Sequence, residues 1–243
     1  MKIVGVIPAR YESSRFPGKP LADICGKPMI WWVYNQVKKV KELSEVYVAT
    51  DDERIKTECE KYGIKAVMTK NSHKTHLDRL AEFVNQIDAD FYININGDEP
   101  LIDPKNIQKL VPDNTLDPKS FYFANAMTIV KKPVELVDNA RIKIVTDVDG
   151  YGLYMARTPI PYPKGTSEFN YKKFVGIQCF SKSALEFCGI TPRGEIESIE
   201  DIDEYRFLEH GKKIKFILVD ADSFSVDTEK DLEKVRKIIS NKL

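Results

Sequence analysis

The sequence predicts an α/β fold, a mostly parallel sheet with helices on both faces, followed by a more β-rich half. Three observations carry this reading. Strand-sized runs of β-branched and apolar residues alternate with segments of helical period through about residue 112, the rhythm of parallel βα units. Residues suited to helix caps and stops punctuate that alternation. Beyond Pro112 strand-forming runs follow one another between turn-rich stretches, which marks a change of architecture and room for a lobe.

Lys2 to Ile7 is the first strand, a β-branched run ending at Pro8 that reads as buried. Pro28 stands where a first helical turn begins, and Met29 to Val40 carries apolar residues at mixed spacings of 3 and 4. Val46 to Ala49 is a strand, Thr50-Asp51-Asp52 supplies a cap, Glu53 to Tyr62 is a helix and Gly63 stops it. Lys65 to Met68 follows as a strand and Leu77 to Ile87 as a helix. Phe91 to Ile95 then forms an apolar strand running into Asn96-Gly97-Asp98-Glu99-Pro100. In the second half strands are expected over Phe121 to Ile129, Arg141 to Val145, Gly152 to Ala156, Phe174 to Phe180 and Lys215 to Val219. Helices are expected over Ser198 to Glu209 and Thr228 to Ile239, with Asp227 available as the last cap.

At 243 residues and 42% apolar content the chain can bury a sizeable core as one domain. Lys plus Arg equals Asp plus Glu at 37 each, so no global field draws it to nucleic acid or an anionic membrane. Cys25, Cys59, Cys179 and Cys188 are scattered without a C-x-x-C pair or a preceding signal-like run, which fits reduced thiols in a cytoplasm. The longest apolar stretches fall short of the roughly 20 residues of a spanning helix.

Chemistry concentrates in the loop leaving strand one. Open α/β sheets bind ligands outside the carboxyl ends of their strands, and this loop carries Arg10, Arg15 and Lys19 together with Pro17, Gly18 and Pro20. Arginine clamps phosphate oxygens in a planar fork and lysine follows developing charge. Gly18 lets backbone approach a ligand, and the prolines limit the entropy lost on ordering. The loop lacks both the G-x-x-x-x-G-K-[ST] and G-x-G-x-x-G patterns, so neither a P-loop ATPase nor a dinucleotide dehydrogenase is supported. Asp98 follows a buried strand and a glycine at the same edge. Magnesium needs only one or two such carboxylates once a nucleotide supplies phosphate oxygens. Asp227 is the second candidate ligand, and Glu99 reads as a structural neighbour.

The stretch Ile7 to Pro28, IPARYESSRFPGKPLADICGKP, resembles the signature of the CMP-Kdo synthetases, the 3-deoxy-manno-octulosonate cytidylyltransferases. The similarity continues through VYVATDDERI (46–55), MTKNSH (68–73), NGDEPLI (96–102), GYGLYMARTPIPY (150–162), EHGKKI (209–214) and VDTEKDLEKV (226–235). The resemblance implies a nucleotide-diphospho-sugar transferase-like fold, CTP as donor, an acidic sugar as acceptor, Mg2+ held by Asp98 and Asp227, and a homodimer formed by a β-rich lobe. It divides the single domain into a nucleotide-binding half, about 1–112, and an acceptor-binding and dimerisation half, about 113–243.

Residue by residue, the resemblance places Pro8, Ala9, Arg10, Ser13, Arg15, Lys19, His73, Thr75, Asp78 and Arg79 at the nucleotide. Lys19, Arg15 and Asp98 take the catalytic roles. Asn96, Arg157, Phe174 and Glu197 fall at acceptor positions, with Arg157 suited to a substrate carboxylate. Four of this chain's residues depart from the family pattern. His76 and Leu77 stand where the family has Gly-Thr, Asn96 where it has Gln, and Phe174 where it has His. His76 by itself reads as a loop histidine. The resemblance therefore implies transfer from CTP to 3-deoxy-manno-octulosonate or a related acidic sugar, giving a CMP-sugar and pyrophosphate. The two altered polar groups on the acceptor side open the alternative of a different acidic acceptor, another ulosonic acid or a small phosphorylated or phosphonate acid.

Overall fold

β1 (Ile3–Ala9) occupies the middle of the main sheet because both of its faces are apolar. The computed structural model describes residues 1–12, 16–166, 168–221 and 225–242. After β1 come a short turn of helix (Lys19–Leu21), the hairpin β2 (Asp23–Ile24) and β3 (Lys27–Pro28), α1 (Met29–Val37), β4 (Glu45–Thr50), α2 (Glu53–Lys61) and β5 (Ala66–Met68). The first half closes with α3 (His76–Phe83), β6 (Phe91–Ile95) and α4 (Pro104–Gln108). The second half runs β7 (Phe123–Ile129), α5 (Pro133–Val137), β8 (Lys143–Thr146), β9 (Gly152–Ala156), β10 (Lys172–Ser181), α6 (Lys182–Ile190), α7 (Glu195–Glu200), α8 (Tyr205–Leu208), β11 (Lys215–Leu218) and α9 (Glu229–Ser240).

The strand order is β11-β7-β10-β6-β1-β4-β5, with β8 and β9 attached beside β10. β6, β1, β4 and β5 are parallel to one another, as are β7 and β11. β10 runs against both β6 and β7. One continuous sheet therefore spans both halves of the chain. Side-chain alternation places one core on each face of the sheet, and Ile24 and Met29 form a third cluster with Val226 and the Leu232, Val235 and Ile239 side of α9. Ile3 and Ile7 of β1 and Phe91, Ile93 and Ile95 of β6 meet α1 and α2 on one face. Val4, Val6 and Tyr92 meet Leu77, Leu80 and Phe83 of α3 and Ala184 and Leu185 of α6 on the other. Helices cover both faces, as the parallel pattern requires.

Three local readings change. The single helix expected over Ser198 to Glu209 is two helices, because Asp201 adopts a left-handed conformation (φ 51°, ψ 52°) between α7 and α8. Periodicity runs through that break and so conceals it. Asp227 is not the cap of α9. Thr228 is, accepting from the Asp231 backbone N–H. Finally, α6 follows β10 directly from the cap Ser181, a Ser-capped segment with buried Ala184, Leu185 and Cys188 that the sequence reading passed over.

Candidate functional site

The exits of β1 and β6 are adjacent because these strands pair in parallel. A Cβ on Gly97 would stand 2.8 Å from the Pro8 carbonyl oxygen, so the two chain exits approach this closely only with glycine there. The Val226 N–H donates to the Asp98 carbonyl at 2.9 Å, and that bond draws the segment bearing Asp227 to the same edge. Lys19 Nζ lies 2.9 Å from Asp98 Oδ2 and 3.6 Å from Asp227 Oδ1. One ammonium thus bridges two carboxylates 129 positions apart in the chain, Asp98 beyond the end of β6 and Asp227 just before the cap of α9. The three close a cleft of about 580 Å³ that Pro8, Ala9, Arg10, Asn96, His76, Arg79 and Asp201 also line.

The cation loop is shaped by Gly18, in the left-handed region at φ 71°, whose N–H donates to the Tyr11 carbonyl at 2.8 Å. Arg54 lies 3.3 Å over the Tyr11 ring and hydrogen-bonds both oxygens of Asp52, the cap of α2. A second opening of about 850 Å³ shares Arg10 and Glu12 with the first and extends along Asp51, Asp52, Asn71 and His73. Exposed Arg10 stands at the boundary of the two. Ser13 and Arg15, both expected at the nucleotide, lie outside the described residues.

The start of α3 supplies the opposite wall. Thr75 caps it in a reciprocal box with Asp78, satisfying two backbone donors that a helix start otherwise leaves free. Asp78 also pairs with Arg206. Burial pushes the Asp78 carboxyl upward, but the Arg206 hydrogen bond and charge outweigh it and hold it below the usual carboxylate range. Arg79 is fully buried, gripped by Thr69 and by Asp51 at 2.7 Å. Its Nε has no hydrogen-bond partner. Of the expected nucleotide residues, then, Pro8, Ala9, Arg10, Lys19 and Arg79 line the main cleft and His73 the adjoining one, while Thr75 and Asp78 are engaged in capping α3. His73 is paired with Glu82.

The expected acceptor residues do not converge. Asn96 lines the cleft. Phe174 packs against the α3-side core. Glu197 is fully buried and bonded to Arg206 at 2.6 Å and Arg193 at 3.0 Å. The Arg157 guanidinium donates to the carbonyls of Glu200 at 2.5 Å, Asp201 at 2.7 Å and Asn139 at 3.1 Å, where it fastens the α7–α8 turn. The resemblance located these side chains in sequence, and packing engages three of them elsewhere.

What the sequence reading missed lies between them. His76, expected in a loop, is the first residue of α3. Its Nδ1 meets Asp203 at 2.9 Å and its Nε2 meets Gln178 Oε1 at 3.1 Å. Asn94 Nδ2 donates to the same oxygen at 2.8 Å, and Gln178 Nε2 donates to Glu204 at 2.5 Å. Burial lowers the tendency of His76 to hold a proton, but Asp203 and Glu204 overcome it and raise its pKa to about 9. Burial pushes Glu204 up to about 7. Residues 76, 178 and 203 are far apart in sequence, and no local pattern announces their meeting.

Among the described residues no group of three or more His, Cys, Asp or Glu forms a metal cluster. The donor set at Lys19 consists of two carboxylates without imidazole or thiolate, the hard oxygen chemistry that suits magnesium when phosphates and waters complete its shell. No helix is long and apolar enough to cross a membrane among the described residues.

Comparison with known proteins places this geometry. The family described as "Cytidylyltransferase" matches residues 4–214. The 8-amino-3,8-dideoxy-manno-octulosonate cytidylyltransferase of Shewanella sp. (strain ANA-3) is 40% identical over 237 residues, covering 96% of this chain and 97% of that protein. A solved CMP:2-keto-3-deoxy-manno-octonic acid synthetase complexed with CTP superposes with a TM-score of 0.93 at 38% identity over the full length of both chains. The 4-diphosphocytidyl-2C-methyl-D-erythritol synthase of Anaerococcus prevotii shares the fold at a TM-score of 0.65 and 17% identity, over 98% of this chain and 99% of that one.

Proposed function

The chain belongs to the cytidylyltransferase family and is a nucleotidyltransferase, and from that premise we propose that it joins CTP to an acidic sugar of the 3-deoxy-octulosonate type. The observation that carries the proposal is the Lys19 ammonium set between Asp98 and Asp227 at the paired exits of β1 and β6. An acceptor hydroxyl oxygen attacks the α-phosphorus as the bond to the β-phosphate oxygen breaks, the hydroxyl proton passes to solvent in the open cleft, and pyrophosphate leaves with the electron pair. Lys19 and Arg10 bind the triphosphate and offset the charge that grows on it. Asp98 and Asp227 would hold Mg2+, releasing Lys19 toward the phosphates. When bound, the metal neutralises phosphate charge and orients the leaving group.

The Shewanella relative's 8-amino sugar and Kdo itself are the first acceptors to test. Asn96 and His76 favour the former, or another acid, over Kdo, because the cleft-lining amide at 96 is shorter than the family's Gln and both His76 ring nitrogens are already engaged. The test crosses the four nucleoside triphosphates with Kdo, 8-amino-3,8-dideoxy-manno-octulosonate, other ulosonic acids and small phosphonates, reading pyrophosphate. Release with CTP and one such acid supports the reading. Release that ignores the base, or needs no magnesium, overturns the donor or the metal assignment. The homodimer is part of the same proposal. Val134 and Val137 of α5 and Leu153 and Tyr154 of β9 are exposed apolar residues of the β-rich half, and monomeric sedimentation at micromolar concentration would refute it.

A further inference from the structure

The polar network beneath the cleft is unusual in where it places its donors. Gln178 on β10 stands in register with Asn94 on β6 and Asn125 on β7, so three buried amides cross the three strands in one row. The Gln178 oxygen accepts from Asn94, and its nitrogen is committed to Glu204. That fixes which end of the amide faces His76. Both ring nitrogens of His76 therefore meet acceptors, the Gln178 oxygen and the Asp203 carboxylate. An imidazole facing two acceptors needs a hydrogen on each nitrogen. His76 is thus a fixed imidazolium whose two donors are both engaged.

A histidine serving only to join α3 to α8 would be sealed in the core. His76 instead lines the cleft with Asn96 and Lys19, its side chain 27% exposed, while Asp203 beneath it is 14% exposed. It covers a carboxylate and an amide oxygen that are chemically suited to sugar hydroxyls. We propose that His76 is a specificity-determining residue for the acceptor: it fills the floor beside Asn96 and withholds Asp203 and Gln178 from acceptor hydroxyls. The site then selects an acid with fewer hydroxyl groups on the part that reaches this floor. Buried groups already paired with each other give a hydroxyl no return for its lost water. The inference rests on the cytidylyl-transfer reading above.

The test separates the two. Acceptor binding is measured by calorimetry on the full chain with Mg2+ and a CTP analogue bearing a methylene between the α- and β-phosphorus, so it does not depend on turnover. His76→Gly opens the floor and frees both partners. His76→Phe frees the partners but keeps the ring. The expected result is that His76→Gly shifts the affinity ratio of Kdo to a less hydroxylated acid by about tenfold or more toward Kdo, while His76→Phe shifts it little. A ratio within twofold of wild type in a natively melting His76→Gly protein overturns the proposal. Should that variant not fold, the wild type still decides: the 15N resonances of His76 should report two protonated nitrogens and move when a preferred acceptor saturates the site. A neutral tautomer, or unmoved resonances at saturation, refutes it. Failure of pyrophosphate release with every acceptor would instead strike the cytidylyl-transfer reading.

Discussion

The charges at the exit of β1 and those under α3 are arranged in opposite ways. Lys19, Asp98 and Asp227 stand partly exposed around an open cleft, with the Lys19 ammonium between the two carboxylates. Arg206, Glu197 and Asp78, with His76, Asp203, Gln178 and Glu204 beside them, form closed networks in which nearly every donor meets an acceptor. The first arrangement can exchange its partners for a phosphate and a cation at little loss. The second holds its shape because removing a charged member leaves a buried partner with fewer compensating groups. On the proposed function, the difference separates the region that reacts from the one that shapes the cleft around it.

The closed side should break hardest. Arg206→Met takes one of two cations from fully buried Glu197, leaving Arg193, and removes the ion-pair partner of Asp78, and should lower unfolding free energy by about 3–5 kcal/mol in urea. A change within about 0.5 kcal/mol would mean the network is ornamental. On the open side, Lys19→Ala should leave stability nearly unchanged and reduce kcat by about 10²–10³, near 3–4 kcal/mol of activation free energy. Loss of stability instead of turnover would erase the contrast.

pH sharpens the comparison further. The folded pKa of His76 is raised to about 9 from an ordinary value near 6.5. The stabilisation its proton provides is complete below about pH 6.5 and fades as pH rises toward 9. Asp78 behaves in reverse, since its folded carboxyl lies below the usual range. Its contribution is present above about pH 4 and lost on acidification. Urea titrations should show the alkaline loss in wild type, on the order of 1–3 kcal/mol, and not in His76→Phe. An identical slope in both proteins would assign the loss to another group. The smallest effect belongs to the α3 cap: Thr75→Ala should cost about 1 kcal/mol, with kcat held if capping is its whole role and a raised KM for CTP if it also touches the nucleotide.

How much of this could be read in advance depends on the distance over which each feature is encoded. β1, its basic loop and Asp98 are contiguous stretches in which residue order dictates strand, exit and charge. The resemblance extended that reading to the family and to Asp227. It reached less far on the acceptor side, where Glu197 and Arg157 are engaged by Arg206 and by backbone carbonyls that only folding brings near. The continuous helix expected across 198–209 failed for the same reason. Its period survives in the sequence, while the Arg157 contacts to the carbonyls of Glu200 and Asp201 hold the turn that interrupts it.

By itself the sequence determined the α/β alternation, the two faces of the sheet, the concentration of cations in the first loop and the family, because each is written in neighbouring residues or periodic patterns. Only the tertiary structure decided that Lys19 stands between Asp98 and Asp227, and that His76 closes over Asp203 and Gln178. Those contacts join segments up to about two hundred residues apart, and their geometry is set by strand pairing and packing rather than by the local order of the chain.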